Sequence, residues 1–93
     1  MLRADAKTAE AAREFLEAAA AAAEPLDSAA AVTLYPPVPL TVARVADVER
    51  LQMLVECAAR PALQRFLAEW MPQLLALRRR SGNAILRWAV DVD

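Results

Sequence analysis

The side chains with which this chain can do chemistry are the eight arginines of its second part: Arg44, Arg50, Arg60, Arg65, Arg78, Arg79, Arg80 and Arg87. A guanidinium stays charged and offers a planar fork of donors, so the chemistry in question is capture of phosphate or carboxylate. Set against Asp47, Glu49, Glu56, Glu69, Asp91 and Asp93, these arginines leave the second part at +2. Residues 1–30 hold Arg3, Lys7 and Arg13 against six acids, a balance of −3. The overall charge of −1 conceals that separation, and it predicts weak binding of nucleic acid by the domain alone. Catalysis lacks its usual tools. Histidine is absent, the single glycine rules out a glycine-rich phosphate loop, and Cys57 has no second cysteine for a disulfide or a zinc cluster. The chain is expected to be no enzyme and to hold no cofactor of its own; Cys57 reads as a small buried apolar side chain.

The elements that position the arginines follow from periodicity. Leu51, Met53, Val55 and Cys57 alternate with Gln52 and Glu56, with only Leu54 out of pattern, which predicts one half-buried strand over 48–57. At Pro61 the period changes. Leu63, Phe66, Leu67, Trp70, Met71, Leu74 and Leu77 recur every three and four residues, the stripe of a helix that runs to Arg80 with Pro61 in its first turn and Gly82 at its end. Pro72 removes one intrahelical bond and is expected to bend that helix, and Arg78, Arg79 and Arg80 read as a cationic last turn. The segment 84–93 predicts a strand with Leu86, Trp88, Val90 and Val92 on one side and Arg87, Ala89, Asp91 and Asp93 on the other.

Earlier in the chain, Thr8 is placed to cap a helix that Pro25 stops, with Ala12, Phe15, Leu16, Ala19 and Ala23 inward. Residues 1–6 read as the end of a strand, 26–31 as a loop and 32–35 as a short strand. Pro36, Pro37 and Pro39 have no N–H for a sheet ladder, so this stretch must leave the sheet or run along its edge. Residues 40–46 then form a strand that turns at Asp47 into the next one.

Collected, the order is β-α-β-β-β-α-β in a single domain of residues 1–93. The expected fold is α+β: a two-layer sandwich, ferredoxin-like or ribosomal-protein-like, in which two helices cover one face of an antiparallel sheet. The uncovered face then carries Arg50, Gln52, Glu56 and Arg87. No run of 18 apolar residues exists and acidic residues interrupt the N-terminus, so neither a membrane span nor a secretory signal is expected, and the location is expected to be cytoplasmic.

Several local sequences occur in a telling order: Tyr35-Pro36-Pro37-Val38-Pro39, Val42-Ala43-Arg44-Val45-Ala46, Val48-Glu49-Arg50-Leu51-Gln52-Met53-Leu54-Val55-Glu56, Ala59-Arg60-Pro61-Ala62-Leu63-Gln64-Arg65-Phe66-Leu67 and Leu86-Arg87-Trp88-Ala89-Val90-Asp91-Val92-Asp93. Together they resemble the C-terminal domain of primosomal protein N′ (PriA), the bacterial replication-restart helicase, along the whole chain. The resemblance implies a domain excised partway through its first strand. It also implies that the ATP, Mg and Zn sites of the parent helicase lie outside these residues. The implied partners are DNA at replication forks or as single strands, the acidic C-terminal tail of single-stranded-DNA-binding protein, and other domains of the helicase and primosome. Arg44, Arg50 and Arg87 are the expected phosphate contacts, with Tyr35 or Trp88 as a stacking platform. Arg60, at a strand-to-helix corner, is the expected contact for the acidic tail. The competing expectation is a bracing domain of the helicase with no ligand of its own.

Overall fold

The computed structural model describes residues 1–45, 48–82 and 84–91, and over 40–45 the backbone alone. Among the described residues, six strands and two α-helices follow one another: β1 (Leu2–Ala6), α1 (Ala9–Ala23), β2 (Val32–Leu34), β3 (Val38–Val45), β4 (Val48–Met53), β5 (Val55–Cys57), α2 (Arg60–Ser81) and β6 (Ile85–Val90). The main sheet runs β3-β4-β1-β6, with every neighbouring pair antiparallel. Numbered by chain order within that sheet, the strands read fourth, first, third, second. This is the ferredoxin-like arrangement, and the fold is α+β as expected.

Local chemistry explains the helices. Thr8 has extended backbone and its hydroxyl accepts from the Ala11 N–H at 3.1 Å, which satisfies one of the orphan donors of α1. The five residues expected to face inward, Ala12, Phe15, Leu16, Ala19 and Ala23, are all buried. In α2, Phe66, Trp70, Leu74 and Leu77 are buried while Leu63, Leu67 and Met71 are half-buried. Burying each large side chain stabilises by roughly 1.5 to 3 kcal/mol. Phe66 and Trp70 stack with ring centroids 4.8 Å apart, and the indole N–H of Trp70 donates to the Ala19 carbonyl at 2.9 Å, which fixes α2 against α1. Both helices share one core with Leu2, Ala4, Ala6, Leu51, Met53 and Ile85 of the sheet.

Four expectations need correction. The strand over 48–57 is not continuous: Leu54 lies exposed between β4 and β5, and β5 leaves the main sheet to pair with β2 as a second, two-stranded sheet. Glu56 therefore does not share a face with Arg50. In β6 the inward position falls to Ile85, 1% exposed, while Leu86 is 44% exposed, because the register with β1 shifts between Asp5 and Ala6 and Leu86 is the extra residue of a bulge. Residues 27–31 form a 3-10 helix, not an open loop. Finally, β3 begins at Val38, two residues before the expected start, and carries Pro39 opposite Leu51 on the edge of the sheet, where a missing N–H is tolerated. The expected turn at Asp47 and the placement of Val92 and Asp93 lie outside the described residues.

Candidate nucleic-acid interface

The open face is built by the register of three strands. In β1, Leu2, Ala4 and Ala6 are fully buried under the helices, so Arg3 and Asp5 take the opposite side. Asp5 pairs with Arg50 of β4 on one flank and Arg87 of β6 on the other, and Arg3 pairs with Gln52 and Ala89. Directly opposed residues share a face, so the central row across the sheet is Arg50, Asp5, Arg87. Both guanidinium groups approach the same carboxylate oxygen through Nε. Arg50 Nε lies 3.5 Å from Asp5 Oδ2, and Arg87 Nε lies 3.8 Å from it.

Exposure differs across this row. The side chain of Asp5 is 4% exposed, that of Arg50 35% and that of Arg87 71%. Among the described residues, Asp5 Oδ1 and Arg50 Nε are buried without a hydrogen-bond partner, so the carboxylate is balanced by charge more than by well-aligned bonds. With Arg3, the paired residues of β1, β4 and β6 on this face carry three cations against one carboxylate. Such a surface attracts anions, and Arg87 is its most accessible donor.

The other expected residues are distributed elsewhere. Arg44 pairs by backbone register with Glu49 and not with Arg50; its side chain lies outside the described part. Tyr35 follows β2 at the second sheet, where its N–H bonds to the Leu54 carbonyl and its hydroxyl donates to Glu56 at 3.2 Å. The negative charge of Glu56, then the hydrogen bond to it, holds the Tyr35 phenol above its usual range. Trp88 faces the core side, half-buried with its ring centroid 6.3 Å from that of Phe15, so it offers no free stacking face on the arginine side. Asp5 was not among the expected site residues. The signal for it was the period-two pattern of Leu2, Ala4 and Ala6 within a segment only six residues long.

Arg60 opens α2, exposed, after an extended Ala59 that supplies no side-chain cap, and the first turn holds no acidic residue. That end of the helix carries partial positive charge. Beside it lies a groove of about 220 Å³ lined by Leu54, Val55, Cys57, Leu63, Leu67 and Val90, with Glu56 and Asp91 adding two carboxylates to its wall. The triple arginine resolves partly into a helix stop: Arg78 Nη1 donates to the Gly82 carbonyl at 2.7 Å, and Gly82 has a φ of 60°. Among the described residues, no helix is long and apolar enough to cross a membrane, and no group of three or more His, Cys, Asp or Glu side chains is placed to hold a metal ion.

No solved structure matches the chain. The family of primosomal protein N C-terminal domains matches residues 1–93, and the chain belongs to that family.

Proposed function

We propose that this domain is a non-catalytic DNA- and partner-binding module of the ATP-dependent 3′-to-5′ replication-restart helicase. In this reading the open sheet face meets phosphates of forked or single-stranded DNA, and the corner at Arg60 meets the acidic tail of single-stranded-DNA-binding protein. Membership of the primosomal protein N C-terminal domain family ties the chain to primosomal replication restart and supports DNA and replication proteins as partners. The observation that carries the DNA contact is the row Arg50, Asp5, Arg87 on an uncovered sheet, with Arg3 in the next row. Clustered cations that displace counterions are what sequence-independent binding needs, and no base-reading element is required. For the tail, the support is an exposed cation at a helix start beside an apolar groove.

An NMR titration tests both contacts separately. Single-stranded DNA is expected to shift the amides of β1, β4 and β6 around Arg3, Arg50 and Arg87, and an acidic C-terminal peptide those around Arg60 and Leu63. Spectra unmoved by either ligand would leave a bracing domain and end this reading.

A further inference from the structure

Among the described residues Asp5, on the open face, is the buried charged side chain. Its position is dictated by the sheet: one carboxylate in the middle strand, one arginine on each flank, both reaching the same oxygen. Two cations around one anion leave one positive charge in excess. The two arginines are not equivalent. Arg50 is the more buried and its Nε is out of reach of solvent, so it is the counter-ion that makes a buried carboxylate tolerable. Arg87 is mostly exposed and faces Asp5 with its Nε at 3.8 Å, an ion-pair distance longer than a hydrogen bond, which leaves its two terminal nitrogens for an outside ligand.

We propose that Asp5 is a positioning residue: it tethers Arg87 by Nε so that the terminal nitrogens of that guanidinium take one phosphodiester phosphate of a DNA strand, while Arg50 neutralises Asp5. The proposal rests on the reading of the open face as the DNA surface. A tethered fork loses less freedom on binding than a free one, and bidentate geometry suits phosphate. The sign of the Asp5 effect is diagnostic. If charge alone governed binding, removing this carboxylate would tighten the complex.

The test is binding of a fluorescently labelled oligothymidylate, followed by anisotropy at low salt. Arg87→Lys keeps the charge at an exposed site but has no fork to tether, so its affinity should fall about tenfold, close to that of Arg87→Gln. Wild-type affinity in Arg87→Lys overturns the proposal. Folded Asp5→Asn, checked by circular dichroism, should bind several-fold more weakly in spite of its added positive charge, with no further loss in the Arg87→Gln background. Binding equal to or tighter than wild type overturns it as well. Should Asp5→Asn not fold, the Arg87→Lys comparison decides alone. Arg3→Gln with Arg87→Gln separates the two levels: wild-type binding there removes the open face from DNA recognition altogether, whereas weakened binding there with wild-type behaviour in Arg87→Lys removes only the role of Asp5.

Discussion

Tyr35 and Glu56 show how one ion at the surface biases another group. Tyr35 is the only tyrosine of the chain, so its titration is read without overlap from a second phenol. The carboxylate of Glu56 opposes the phenolate and accepts a hydrogen bond from the phenol, and both effects raise the pKa in the folded state above the usual value of about 10. The raised pKa means that folding favours the protonated phenol. That contribution is complete below the unfolded value and is lost as pH rises through the folded one, so stability falls on the alkaline side. Glu56→Gln is expected to bring the phenolate absorbance transition down toward the usual value; an unchanged transition would mean that Glu56 does not govern it. At the same scale, Trp70→Phe removes the bond to Ala19 and part of a buried ring, and about 1 to 3 kcal/mol of unfolding free energy should disappear in a urea titration. Arg50 and Arg87 were legible as residues of one face because alternation in two strands pointed that way. Asp5 was not, because a carboxylate flanked by two cations is a product of register across three strands, and register is not written in any one of them.

Elements were legible where a long period repeated and illegible where one residue broke it. Helix α1 was read to its cap and inward residues because 15 residues carry several turns of the pattern. The break at Leu54 and the bulge at Leu86 each depend on a single position, and both leucines are exposed within otherwise alternating stretches. Periodicity has no vocabulary for one extra residue. Helix α2 offers a sharper test of element chemistry at Pro72, an exposed proline inside a helix of 22 residues. It lacks the N–H that would bond to the residue 68 carbonyl and its ring crowds that turn, at a typical cost near 3 kcal/mol. Since the helix continues through it, Pro72→Ala should restore one bond without disturbing buried residues and raise stability by about 1 to 3 kcal/mol. For a domain of this size that is a rise in melting temperature on the order of 5 to 15 °C. A lowered melting temperature would show that the proline is matched to a local geometry which alanine does not keep. At the other end of the same helix, Gly82 has φ 60° and ψ −126°, a region closed to side chains for backbone reasons, although a Cβ there would meet nothing within 4 Å. Gly82→Ala should therefore cost about 1 to 3 kcal/mol through strain alone, read again by thermal unfolding.

Across the whole molecule, charge is distributed unevenly. On the covered side of the sheet, exposed Glu10, Glu14 and Glu17 of α1 stand beside the arginines of α2, while the paired strands of the open side carry Arg3, Arg50 and Arg87 around Asp5. A net charge of −1 thus conceals a local cationic row, and a polyanion is attracted there. This geometry makes a quantitative demand on the proposed DNA contact. Each phosphate neutralised on a single strand changes the slope of log affinity against log salt by about −0.7, so two or three contacts give a slope of roughly −1.4 to −2. Arg3→Gln with Arg87→Gln should flatten that slope by about 1.4, since two cations leave the face. Replacing Glu10, Glu14 and Glu17 with Gln changes the net charge by more, yet on the covered side, and should leave the slope nearly unaltered. Equal responses to the two sets of substitutions would mean that net charge, and not the arginine row, controls the association.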